Sequence, residues 1–202
     1  MSKGQETRDR ILEKAAGLAS VCGLEEMSIG KLAEATGLSK SGLFAHFNSK
    51  ENLQAQVIKR VGDMFSEEVL RPAFNEPRGI PRIRALFDSW RDWIDGESLP
   101  GGCVMIASAA EFDDRPGAVR DEIADMMKKL LDLLTRTAQI AIDEGHFRDD
   151  SDPGQFAFEF ESIVHGYHLL RRLLKDPIAR ERSETALERL ISAYETDTLK
   201  TD

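Results

Sequence analysis

Glu161, His165 and His168 fall at i, i+4 and i+7, so on a helix their side chains approach one another along one side, at a spacing that suits metal ligands. No fourth ligand is evident. The favoured reading is therefore a set of polar residues at a subunit seam or a pocket wall, with no metal. The two cysteines, Cys22 and Cys103, lie far apart and belong to no CxxC or Cys/His spacing, which argues against a zinc site or a disulfide framework. Cys103 also lacks the basic sequence neighbour that would make it a redox sensor. There is no Gly-rich phosphate loop, nucleophile elbow or HExxH spacing, and the carboxylates mostly decorate helix surfaces. The chain reads as a non-enzyme without a cofactor.

A different group of residues suits an anion. Ser28 can cap a short helix, Ile29 to Thr36, whose Ile29, Leu32 and Ala33 point inward and which Gly37-Leu38 breaks. Ser39 can cap a second, Lys40 to Phe47, buried along Leu43 and Phe47 at i and i+4. Two helices joined by a Gly-containing turn make a helix-turn-helix. The second helix of that motif enters the DNA major groove with its N-terminal residues nearest the base edges. Ser39, Lys40, Ser41 and Gly42 are small or flexible enough for close approach, and the helix N-terminus offers unpaired amides and a positive dipole end to phosphate. Ser28 and Lys50, each at another helix start, add two candidate phosphate contacts.

Charge alone argues the other way, because the 202-residue chain carries a formal net charge of -9. The average hides an asymmetry. Residues 1–62 hold nine Lys/Arg and seven Asp/Glu, a balance of +2, whereas residues 63–202 hold eighteen and twenty-nine, a balance of -11. A small domain that can approach an anion is joined to a larger one that repels it. The expected division is therefore residues 1–62, for DNA binding with a linking helix, and 63–202, for effector binding and dimerisation. The start, MSKGQETRDR, lacks the apolar centre of a signal peptide, and the longest uncharged apolar run, Cys103 to Ala110, is far too short to span a membrane. These features predict a soluble, cytoplasmic protein without a membrane partner.

Apolar residues recur at three- and four-residue steps almost throughout, which predicts an all-α fold of about nine helices. The first runs from about Thr7 to Cys22, and the fourth from Lys50 to before Pro72. Arg71 to Pro81 is the clearest break. Later helices are expected at about Pro81 to Asp95, Cys103 to Phe112, Ala118 to Glu144, Pro153 to Leu174 and Ser183 to Thr196. The helix beginning at Asp152-Pro153 has one wide apolar face through Phe156, Phe160, Val164, Tyr167 and Leu170, and a second apolar side through Phe158, Leu169 and Leu173. A helix apolar on two sides must be buried on two sides, and the second contact can be another copy of the chain.

Thr7 to about Ile58 resembles the DNA-binding domain of the TetR/AcrR family of bacterial transcriptional regulators. The resemblance is carried by SIGKLAEATGLSKSGLFAHF, Ser28 to Phe47, followed by Ser49-Lys50-Glu51-Asn52-Leu53. It implies that Lys40, His46 and Lys50 lie at the DNA backbone, with Ser39, Ser41 and Gly42 nearer the bases. The family usually has a phosphate-binding tyrosine where this chain has Phe44, so packing against a sugar or a thymine methyl replaces that contact. It also implies a four-helix dimer seam formed by the last two large helices, with Phe156, Phe160, Val164, Tyr167, Leu170, Leu187 and Ile191 as candidates. Phe87, Trp90, Trp93, Met105, Met126, Met127, Phe158 and His165 are candidates for an apolar effector pocket, since aromatics and thioethers suit flat hydrophobic ligands. The segment Glu111 to Gly117 resembles one branch of the family and fixes no ligand. The implied function is a homodimeric repressor of a palindromic double-stranded operator, relieved by a small apolar effector and coupled through the helix containing Leu53 to Phe65. The competing reading is a helical protein that binds a small molecule or a protein and has lost DNA binding.

Overall fold

A computed structural model describes residues 3–196. Helix α1, Lys3–Cys22, starts four residues before the Thr7 expected from periodicity and buries Ile11, Leu12, Ala15, Ala16 and Ala19. Gly23, at φ +85°, ends it. Helix α2, Ile29–Thr36, is closed by Gly37 at φ +68°, and α3, Lys40–Phe47, follows after a short turn. Helix α4, Lys50–Phe65, buries Leu53, Gln54, Val57, Ile58 and Val61.

Beyond α4 the helix does not stop before Pro72. It passes through a π-helical turn, Ser66–Leu70, into α5, Arg71–Asn75, with Pro72 in the first turn of α5. A proline inside an α-helix lacks the N–H and clashes with the carbonyl four residues back. The wider π turn shifts that register, so Pro72 meets no α-helical partner it would have to displace. The break shrinks to Glu76–Gly79.

The remaining helices are α6, Ile80–Asp95, α7, Val104–Phe112, α8, Ala118–Asp143, α9, Pro153–Arg172, and α10, Ala179–Tyr194. The Asp152 carboxylate caps α9 by accepting the N–H groups of Gly154 and Gln155 at 2.8 and 3.2 Å, as an Asp-Pro start predicts. Helix α10 begins four residues before the expected Ser183 and ends at Tyr194. Counting α4 through α5 as one rod, the described residues form nine helical rods, and their one extended pairing is an isolated bridge between Phe147 and Glu195. The protein is all-α.

Contacts divide the chain into two compact units, Met1–Ser66 with Asp95–Met127 and Glu67–Ile94 with Lys128–Asp202. This grouping differs from the division at residue 62 drawn from charge. Residues 95–127 join the N-terminal helices through polar bonds between side chains and backbone, which leave no mark on composition. In the second unit Phe87 of α6 meets Phe160 of α9 edge-on at 5.5 Å, and Phe156 meets Phe147 and Tyr194 at 5.0 and 5.1 Å. Such pairs add to the area they bury. Among them sits Arg91, only 3% exposed, with its guanidinium 4.8 Å from the Phe87 ring centre. It donates to the Arg180 carbonyl and to Ser183 Oγ and pairs with Asp88, which offsets the cost of burying the charge.

Candidate nucleic-acid interface

Serine caps fix the starts of α2 and α3. Ser28 Oγ accepts the Lys31 N–H at 3.2 Å, and Ser39 Oγ accepts the Gly42 N–H at 3.1 Å. Each serine satisfies an amide that a helix start leaves unpaired, which is why these two positions set the helix boundaries. Leu32 and Ala33 of α2 and Leu43 and Phe47 of α3 are buried, so each short helix is anchored by its inner face. Phe47 also lies beneath the Arg8 guanidinium, 5.5 Å from its ring centre.

With the inner face committed, the outward surface of α3 is Lys40, Ser41, Phe44 and Ala45, all exposed. Phe44 is 54% exposed, which leaves its ring open to an apolar contact beside the helix start. Ser39 and Ser41 hold their hydroxyls 3.2 Å apart at the start of the helix. Gly42 and His46 are half-buried at the edge of this surface, with the His46 ring tilted against Phe47 at 6.1 Å. The structure therefore gathers Ser39, Lys40, Ser41 and Phe44 on one surface, with Gly42 and His46 at its border. Ser28 and Lys50 are anchored at the starts of their own helices. Lys50 Nζ donates to Glu25 Oε1 at 2.9 Å, and that bond holds the Glu25 carboxyl below its ordinary range. A phosphate near Lys50 would share its ammonium with Glu25.

The chemistry of this surface is short hydroxyls, one ammonium, helix-terminal amides and an apolar ring. It can approach a groove closely, accept or donate to base edges, and make apolar contact with a thymine methyl.

The C-terminal candidates separate. Phe87, Trp90 and Trp93 are buried in the second unit, whereas Met105, also buried, and the half-buried Met126 and Met127 belong to the first. Phe158 is 62% exposed, so its assignment to a pocket wall is corrected: it is an outward-facing residue of α9. The dimer candidates are corrected in the opposite sense. Phe156, Phe160, Val164, Tyr167, Leu187 and Ile191 are all buried within the chain's own core, where they have no surface to offer a second copy. Leu170 is half-buried. The apolar face that α9 leaves open carries Phe158 and Leu169 and continues into Leu173, at 62, 52 and 71% exposure.

His165 lies on the open face between Phe158 and Leu169, with Glu161 and His168 on its flank. His165 Nε2 is 3.8 Å from Glu161 Oε1, beyond hydrogen-bond reach, and His168 Nε2 is buried without a hydrogen-bond partner. Burial raises the Glu161 carboxyl and lowers His165. His168 is lowered to about 4, by burial first and then by Arg172 and His165. A histidine lowered in the folded state takes up its proton in the unfolded chain first. Stability is thus lost as pH falls from the unfolded value of 6.5 toward 4, while protonation of Glu161 works in the opposite direction. His168→Asn should shrink the drop in melting temperature between about pH 7 and pH 4.5. An equal drop in both proteins would remove His168 from the acid response.

Residues 11–57 match the family model of bacterial regulatory proteins of the tetR family, and residues 79–187 match that of the tetracyclin repressor-like C-terminal domain. The chain is 26% identical over 185 residues to the HTH-type transcriptional repressor ComR of Escherichia coli (strain K12), covering 91% of this chain and 83% of ComR. A TetR transcriptional regulator from Chloroflexus aurantiacus superimposes with a TM-score of 0.83 at 28% identity, over 95% of this chain and 96% of that one. AibR, solved in complex with isovaleryl coenzyme A and operator DNA, superimposes at 0.70 with 26% identity, over 93% and 98% of the two chains. The second family model alone spans more than half of the 202 residues. With the capped α2–α3 pair in place at the N-terminus, the chain belongs to the TetR family of bacterial DNA-binding transcriptional regulators.

Proposed function

We propose that this regulator is a homodimeric repressor that binds a pseudo-palindromic operator through two copies of α3 and is released by a small apolar effector. The observation that carries the reading is the outward face of α3, where Phe44 stands exposed beside Lys40 and the Ser39–Ser41 pair at a capped helix start. The open α9 face, with Phe158, Leu169 and Leu173 exposed around Ser162 and His165, supports the dimer, since exposed apolar groups gathered on one helix face mark an interaction site. ComR is named a repressor, and AibR was solved in complex with isovaleryl coenzyme A and operator DNA, which supports an effector with an apolar group. Release requires the effector to prefer a conformer whose recognition helices no longer match the groove spacing, because only differential affinity shifts such an equilibrium.

The test is selection of bound duplexes from random DNA by the purified protein at two salt concentrations. An inverted repeat with half-sites about 34 to 36 Å apart, or a multiple of that, is expected. Retention should weaken steeply with salt, as phosphate contacts require. A folded dimer that enriches nothing at either salt would overturn the DNA-binding reading in favour of a ligand- or protein-binding role.

A further inference from the structure

We infer that the corner between α7 and α8, residues 111–118, positions the DNA-reading head, and that Glu111 is its positioning residue. The inference rests on the DNA-binding reading above. Glu111, near the end of α7, accepts the Leu24 N–H on Oε2 at 2.9 Å and the Glu25 N–H on Oε1 at 3.1 Å. These amides belong to the turn that joins α1 to α2. The left-handed backbone of Gly23 begins that turn, and a Cβ at Gly23 would lie 2.9 Å from Glu111 Oε1, so glycine leaves the space the carboxylate fills.

The grip is reciprocal. Glu51, in the first turn of α4, accepts the Ala118 N–H at the start of α8 at 3.2 Å. Each side thus caps backbone amides of the other. Between these two bonds Glu25 gathers three partners: Lys50 at 2.9 Å, Gln54 at 3.3 Å and Arg115 of the corner at 3.8 Å. Gln54 in turn donates to the Leu24 carbonyl at 2.8 Å. The corner therefore holds both ends of the α2–α3 motif, its entrance at residues 24 and 25 and its exit at Lys50 and Glu51. Glu111 contacts none of the residues of the α3 surface. Its carboxylate fixes the backbone from which α2 and α3 depart, and any displacement of the corner is imposed on them.

A held head is already ordered when it meets DNA, whereas a loosened one must be ordered at the expense of binding free energy. That sets the sign of the test. Removing a carboxylate that acted only through its charge would tighten binding to a polyanion. Removing a positioning carboxylate weakens it. Affinity for the selected operator duplex and its salt slope are measured for the wild-type dimer, Glu111→Ala and Glu111→Gln. Glu111→Ala should bind about tenfold more weakly, a fraction of what two charge-assisted hydrogen bonds are worth because only the reordering of the loosened turn is felt in binding, with an unchanged salt slope because no phosphate contact is lost. Glu111→Gln keeps an acceptor oxygen and should stay within about threefold of wild type. If Glu111→Ala does not fold, as judged by its helical signal and melting, Gly23→Ala disturbs the same bonds from the other side and should weaken binding likewise. A folded Glu111→Ala that binds as tightly as wild type, or more tightly, overturns the assignment. Wild-type protein that binds no duplex would be a failure of the DNA-binding reading instead.

Discussion

Leu169→Asp should convert the proposed dimer into single chains of 22.6 kDa and lower operator affinity by about a hundredfold or more. Leu169 is half-exposed on the single chain, in line with Phe158 and Leu173 on the face of α9 turned away from its core. The helical angles agree, since residues 158, 162, 165, 169 and 173 share one side of a 3.6-residue helix, whereas 156, 160, 164 and 167 share the other. A carboxylate at position 169 remains hydrated in the monomer and costs that state little. In the dimer it would be an unpaired charge against an apolar surface, which is among the most destabilising substitutions an interface can suffer. The loss of affinity follows because two linked half-site contacts become one, and the second no longer occurs at a high effective concentration. Light scattering gives the mass, and titration of the selected duplex gives the affinity. A helical Leu169→Asp protein that remains dimeric would remove this face from the interface. Tyr167, 1% exposed, is no probe of that face, because a charge there enters the chain's own core.

The contrast between Leu169 and Tyr167 shows where sequence reading stops. Alternating apolar stripes announced that α9 is covered on two sides, and it has two apolar sides. Periodicity does not say which stripe meets the chain's own helices: Phe156, Phe160, Val164 and Tyr167, which the resemblance puts at a partner, are buried in the chain's own core, and Phe158, expected both on the second apolar side and at a pocket wall, is exposed. Helix starts were far more legible. Ser28, Ser39, Ser49 and Asp152 each bond an amide within three residues of themselves, an interaction contained in the local sequence. The grip of Glu111 on Leu24 joins residues 87 apart, and the Arg91 anchor reaches 89 residues to Arg180. No spacing rule reports such pairs. A buried arginine gave no signal at all, since on an amphipathic helix a lone charged residue reads as surface. The exposed residues of α3 lie where counting from its cap puts them, whereas the pocket candidates, chosen by type alone, are distributed over two units.

Gly101→Ala should lower the melting temperature by about 10 °C, the result of losing about 4 kcal/mol in a domain assembly of this size. A Cβ at position 101 would stand 1.6 Å from the Ser20 carbonyl oxygen, 2.0 Å from its carbonyl carbon and 2.6 Å from the Val21 nitrogen. All three atoms are helix backbone near the end of α1, so no change of rotamer can make room. The segment around Gly101 would have to lift away from α1. Lifting breaks the hydrogen bond from the Gly101 N–H to Ser20 Oγ, 2.9 Å long, and draws the fully buried Leu99 from its site. Gly17 serves as the control. It lies one turn earlier on α1, facing the same segment, but a Cβ there would meet only the Ser98 carbonyl oxygen, at an ordinary 3.8 Å. Gly17→Ala should therefore be neutral or stabilise α1 by about 0.5 to 1 kcal/mol, the usual gain of alanine over glycine in a helix. Calorimetry of the two variants separates close approach from a general intolerance of change beside α1. A Gly101→Ala protein that melts within about 2 °C of wild type would show that the segment can move off α1 at little cost. The loss expected here would also loosen the end of α1, one residue before the turn that Glu111 holds, and so should weaken operator binding in parallel with Glu111→Ala.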